Sequence, residues 1–116
     1  MKKTEESDLQ IACVSWFRLQ YPHLANLLWA IPNGGARDAK TGYWLKREGV
    51  LAGASDLVLF VPRPKYASLH IEMKSGKGRQ TPEQKRMQLY LQQYGNKYIV
   101  CKTFDDFRSE IESYLN

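Results

Sequence analysis

The order of residue patterns along the chain predicts an α/β fold, a mixed β-sheet flanked by helices. Three observations carry this: helical spacing of apolar residues near both ends, apolar runs of strand length between them, and Gly or Pro clusters at the junctions. The 116 residues, 43% hydrophobic and 12% aromatic, suffice for one core and suit a single domain over 1–116.

From Ser7 to Gln20 the residues Leu9, Ala12, Cys13, Trp16 and Leu19 recur every three or four positions, a buried helical stripe that ends before Tyr21-Pro22. Leu27 to Ile31 is a strand-length apolar run closed by Pro32-Asn33-Gly34-Gly35. Ala36 to Glu48 reads as a basic helix with Arg37, Lys40, Lys46 and Arg47, capped by Gly49. Asp56 to Val61 and Ser68 to Lys74 then form two strands of an antiparallel hairpin centred near Lys65. After the basic loop Ser75 to Gln80, Thr81-Pro82-Glu83-Gln84 opens a helix that runs to about Tyr94 and stops at Gly95. Tyr98 to Lys102 makes a further strand, and Phe104 to Leu115 a closing amphipathic helix.

Seventeen Lys and Arg against twelve Asp and Glu leave a formal charge of +5, which favours a polyanionic partner. No apolar window approaches the roughly 18 residues of a membrane span, so no membrane partner is expected and a cytosolic location is. Cys13 and Cys101 stand alone and read as small buried hydrophobes of a reducing compartment. With His23 and His70 equally isolated, the sequence does not suggest a zinc site.

Chemistry concentrates at Asp56 and at Glu72-x-Lys74. Two residues apart on a strand, Glu72 and Lys74 project from one face while Ile71 and Met73 project from the other, toward the core. The hairpin brings Asp56 to the same end. Asp56 and Glu72 can hold a hard cation such as Mg²⁺, which keeps several waters and accepts as few as one or two carboxylates; the carbonyl of Ile71 or Met73 can add an oxygen. Lys74 can orient or help deprotonate an attacking water, or pair with a phosphate. By default an isolated Glu-x-Lys is a surface ion pair on a strand. The neighbouring turn Gly49-x-x-x-Gly53-x-x-Asp56 and the basic loop carrying Lys77 and Arg79 weigh against that default here.

Taken in order, Glu6-x-x-x-Gln10, Pro32-Asn33-Gly34-Gly35, Gly49-x-x-x-Gly53-x-x-Asp56, Glu72-x-Lys74 and Thr81-Pro82-x-Gln84 make the chain resemble the PD-(D/E)XK nuclease superfamily, and within it the VRR-NUC family of virus-type replication and repair nucleases. The family pattern often has Pro before the aspartate, where this chain has Ser55, a position that supplies a turn rather than a ligand. The resemblance implies a restriction-endonuclease-like core and Mg²⁺ dependence, with Mn²⁺ as a substitute. It further implies cleavage of branched DNA such as Holliday junctions by a homodimer, whose two-fold symmetry would supply two cuts. A bacterial host cell, or a phage or prophage within it, is the corresponding setting.

Glu6 is a further acidic candidate, equally readable as a carboxylate at a helix N-terminus, and its choice over Glu5 rests on the resemblance. Gln84 can contact the water or a phosphate, although Thr81-x-x-Gln84 also fits a capping box. Asn33, Gly34 and Gly35 can admit a phosphate to backbone amides or simply make a turn. Arg37, Lys40, Lys46, Lys77 and Arg79 are candidate phosphate contacts. Trp16, Trp29, Phe60 and Phe107 read as core, and Tyr43 and Trp44 as packing residues that could stack on unpaired bases. The rival readings of the whole are a non-catalytic DNA-binding module of the same fold, and an exonuclease or RNA-processing nuclease.

Overall fold

In the computed structural model, which describes residues 4–32 and 39–116, helix α1 spans Glu5–Gln20. It starts two residues before the expected Ser7 because Thr4 caps it, the threonine hydroxyl accepting from the Ser7 N–H at 3.0 Å. Cys13 and Phe17 are its fully buried residues, with Leu9 and Trp16 packed beside them. Leu19, expected in the stripe, is 85% exposed, and Ala12 is exposed too. Phe17 lies one turn beyond Cys13, so the larger aromatic takes the core position and rotates Leu19 into solvent.

A 3₁₀ segment over Pro22–Leu27 follows, and it shortens the expected strand to β1, Leu28–Ala30. Helix α2 is Ala39–Arg47, with Gly49 just beyond it at φ +106°, the left-handed conformation of a helix stop. Strands β2 (Leu57–Leu59) and β3 (Leu69–Met73) pair antiparallel with Leu57 opposite Ile71, which centres the hairpin on Pro64, one residue earlier than expected. Helix α3 (Pro82–Gln93) carries the full capping box at Thr81 and Gln84. Strand β4 (Lys97–Cys101) runs parallel to β3, and α4 (Phe104–Leu115) closes the chain.

Among the described residues the strands form one mixed sheet in the order β1-β2-β3-β4. Period-two alternation sends Leu57, Leu59, Leu69, Ile71 and Met73 to one side, where they pack with Cys13 and Phe17 of α1 and Phe107 and Ile111 of α4. The other side carries Val58, His70, Glu72 and Tyr98, with α3 packed along β4. Both cysteines are buried and unpaired, and burial raises their thiol pKa values to about 11 for Cys13 and about 12 for Cys101.

Trp29 and Phe60 are not core residues: they are 56% and 42% exposed and stack edge-to-face at 5.0 Å. Alternation turns Trp29 away from buried Leu28 on a strand at the sheet's edge. Among the described residues no helix is long and apolar enough to cross a membrane.

Candidate active site

Asp56 is placed by a close approach of two backbones. Gly53, three residues before it, sits at φ +87°, and a Cβ there would lie 2.5 Å from the Glu83 carbonyl oxygen and 3.0 Å from the Gln84 nitrogen. A glycine lets the turn rest directly on the first turn of α3. Leaving that turn, the Asp56 carbonyl accepts from the Ile31 N–H at 2.8 Å, and its Oδ2 accepts from the Met73 N–H at 2.6 Å. One step beyond the Leu57–Ile71 pair, Asp56 faces Glu72.

Glu72 is no surface residue. It is 0% exposed, which removes the ordinary strand-surface reading of Glu-x-Lys. Its Oε1 accepts a short hydrogen bond from the Tyr98 hydroxyl, whereas its buried Oε2 has no hydrogen bond among the described residues. Lys74 Nζ lies 3.8 Å from that oxygen, near enough for charge attraction and too far for a hydrogen bond. A buried carboxylate oxygen without a donor carries a desolvation penalty, so this position asks for a positive group that the hydrogen bonds of the described residues do not supply.

Tyr98 was not among the sequence candidates. The pairing of β3 with β4 places it opposite His70, on the face of Glu72. Burial first, and then its bond to Glu72 and that residue's charge, push its phenol far above the ordinary tyrosine value and keep it a donor. A polar-tipped aromatic inside an apolar strand was the available signal, since a buried tyrosine hydroxyl seeks a partner.

Asp56 opens toward a cleft of about 600 Å³ whose walls also include Glu6, Lys46, Gly53, Thr81 and Gln84. Glu72, fully buried, is not part of that lining. Glu6 is half-buried while Glu5 is exposed. The Glu6 pKa is raised, chiefly by burial and next by Asp56, with Lys74 lowering it and Glu72 raising it. Its electrostatic neighbours are therefore the other candidate residues.

Gln84 takes the capping-box place that Thr81-x-x-Gln84 suggests. Its Oε1 accepts from the Thr81 N–H at 2.8 Å within the capping box, and the residue also lines the cleft. Lys46 stands in the cleft wall, and Lys77 and Arg79 are exposed on the loop after β3. Asn33, Gly34, Gly35 and Arg37 lie outside the described residues, as does the side chain of Lys40 in the first turn of α2. Tyr43 and Trp44, expected to pack, are 54% and 51% exposed, and Arg47 lies over both rings at 5.7 and 5.5 Å.

Among the described residues no three His, Cys, Asp or Glu side chains are arranged to hold a metal ion by themselves. Asp56 and Glu72 are instead a pair of hard carboxylates, the second with an oxygen that has no hydrogen bond among the described residues. That set suits a hard cation that retains part of its water shell.

A mixed sheet between helices, with paired acids and a lysine at the open end of its central hairpin, defines a nuclease-like domain. The model of the VRR-NUC domain family matches residues 2–105, and the chain belongs to that family. A solved structure named VRR_NUC domain protein superposes with a TM-score of 0.84 at 28% identity, covering 99% of this chain and 91% of the other. No curated protein matches the chain.

Proposed function

We propose that this chain is a metal-dependent, structure-specific DNA endonuclease that hydrolyses phosphodiester bonds, with Mg²⁺ as its cofactor and Mn²⁺ as a substitute. The observation that carries the reading is the buried Glu72 carboxylate, whose Oε2 has no hydrogen bond among the described residues and lies 3.8 Å from Lys74 Nζ. In this reading Asp56 and Glu72 hold the cation, with the Met73 carbonyl as an additional oxygen. When bound, the cation supplies positive charge against the phosphodiester and lowers the pKa of water.

The chain's own residues do the rest. Tyr98 fixes one oxygen of Glu72, and the Met73 N–H fixes one of Asp56, so both carboxylates meet the ion in set orientations. Lys74 orients the attacking water or neutralises a phosphate oxygen. Glu6 and Gln84 complete the pocket from α1 and α3. Lys46 in the cleft wall, with Lys77 and Arg79 beyond β3, contacts phosphates and positions the DNA; Asn33, Gly34, Gly35, Arg37 and Lys40 are proposed to extend that contact.

The proposed substrate is branched DNA such as a Holliday junction, and the proposed assembly a homodimer that presents two such sites. A panel of labelled junctions, flaps, duplexes and RNAs, incubated with Mg²⁺ and then with EDTA, tests this. Junction cleavage that EDTA stops and that is lost in Asp56→Ala, Glu72→Ala and Lys74→Ala is the expected result. Tight junction binding by all of these proteins with no cleavage by any would replace the endonuclease with a binding module.

A further inference from the structure

Through the middle of β3 runs a chain of buried and half-buried polar side chains that the nuclease reading leaves unused. Ser55, 2% exposed, has its Oγ 3.2 Å from His70 Nδ1 and 3.2 Å from the Leu57 carbonyl oxygen. Across the ring, His70 Nε2 is 3.1 Å from Ser68 Oγ, which donates to Asn96 Oδ1 at 2.7 Å. Asn96 in turn donates to the Leu91 carbonyl at the end of α3, at 3.1 Å. The relay thus ties the turn before β2 to the α3–β4 junction through the middle of β3.

Proton counting fixes its sense. Ser68 gives its one hydroxyl proton to Asn96, so toward His70 it can only accept, and Nε2 carries the ring proton. Nδ1 is then an acceptor for the Ser55 hydroxyl, which has the Leu57 carbonyl as its alternative. Ser55 immediately precedes Asp56, and Leu57 immediately follows it. The Ser55 hydroxyl thus has two acceptors for its one proton: given to Leu57 it closes over the aspartate backbone, and given to His70 it ties that backbone to β3.

We propose that His70, acting through Ser55, is the positioning residue that holds Asp56 in the orientation in which its carboxylate meets the Met73 N–H and the cleft. Its catalytic consequence rests on the function proposed above; its structural consequence does not. The serine in front of Asp56 is thereby more than a turn residue. Its contact with His70, whose Nδ1 lies 3.2 Å from Oγ, ties that backbone to β3.

The two ring nitrogens can be separated by substitution. In His70→Asn the amide stands near the Nδ1 position and keeps a partner for Ser55; in His70→Gln it reaches the Nε2 position and keeps a partner for Ser68. Hydrogen exchange of the Met73 amide in the full-length, metal-free protein reports the Asp56 bond directly, with the Ile99 amide of β4 as the control for folding. Exchange at Met73 should quicken about tenfold in His70→Gln and in Ser55→Ala, return to the wild-type rate in His70→Asn, and stay constant at Ile99. In a Mg²⁺-dependent cleavage assay kcat should fall about tenfold in the same two variants, with KM for DNA unchanged, the scale of losing a group that orients a metal ligand.

Equal Met73 exchange in all four proteins, or equal quickening in His70→Asn and His70→Gln, would overturn the inference. A wild-type protein without metal-dependent cleavage but with the expected exchange pattern would remove the nuclease reading and leave the positioning of Asp56 standing.

Discussion

On one side of β3, Leu69, Ile71 and Met73 are fully buried against Phe17, Phe107 and Ile111; on the other, Glu72 is buried to the same extent against Tyr98 and beside Lys74. The apolar side is held by contacts that any hydrophobic residue of similar volume would supply. The polar side is held by single atoms drawn from separate elements: Tyr98 from β4, Lys74 from the end of β3, and Asp56 from the turn before β2. Equal burial therefore marks two different jobs. The first side stores the stability that lets the second keep a carboxylate oxygen without a hydrogen bond among the described residues, and the two should separate cleanly under mutation.

The largest expected effect lies on the polar side. Glu72→Gln keeps the shape and the acceptor for Tyr98 but removes the charge, so cleavage should fall by at least about 10³-fold, the scale of losing a member of a catalytic unit. The melting temperature should change far less than the activity, because losing an incompletely satisfied buried charge offsets losing its attraction to Lys74. Parallel loss of fold and activity, followed by circular dichroism and a junction assay, would erase the distinction between the faces.

Ile71→Ala tests the opposite face. The expected outcome is a loss of about 2–5 kcal/mol in denaturant unfolding from the cavity left behind, with cleavage per folded molecule nearly unchanged. Gly53→Ala falls between the two. Its positive φ and the 2.5 Å approach of a Cβ to the Glu83 carbonyl predict a destabilisation of about 1–3 kcal/mol. That turn also carries Asp56, so activity should drop beyond what the unfolded fraction explains.

Much of this was legible beforehand, for physical reasons. The pairing of Asp56 with Glu72 followed from a hairpin, and the inward Ile71 and Met73 from strand alternation; both are local rules read within about twenty residues. The capping box at Thr81 was equally local. The burial of Glu72 was not legible, because what covers it is Tyr98, 26 residues later, on a strand whose parallel register no local pattern specifies. The same non-locality hid the Ser55–His70–Ser68–Asn96 relay and left Trp29 and Phe60 assigned to a core that the edge position of β1 withholds from them.

Tyr98→Phe gives a smaller, sharper measure of the polar face. Removing the hydroxyl leaves the second oxygen of Glu72 without a donor, and apparent Mg²⁺ affinity in the cleavage assay should weaken about tenfold while saturating Mg²⁺ recovers most of the rate. Loss of activity that no Mg²⁺ concentration recovers would mean that Tyr98 does something other than orient Glu72.

The smallest effect separates the two roles open to Glu6. A carboxylate serving only the N-terminus of α1 would have its pKa lowered and would stabilise the fold at neutral pH. Here the shift is upward, from burial and from Asp56 and Glu72, so the folded state binds the proton more tightly than the unfolded chain does. Folding stability should then decline as pH rises from the ordinary value near 4.5 through the raised one, and that lost part stays lost at neutral pH. Glu6→Gln removes the decline. In the metal-free protein it should melt above wild type at pH 7 and level with it well below pH 4.5, while a helix-terminus role would make the variant the less stable of the two at neutral pH. Thermal melts of both proteins across that pH range give the sign directly, and the sign places Glu6 either with the polar face of β3 or with the helix it begins.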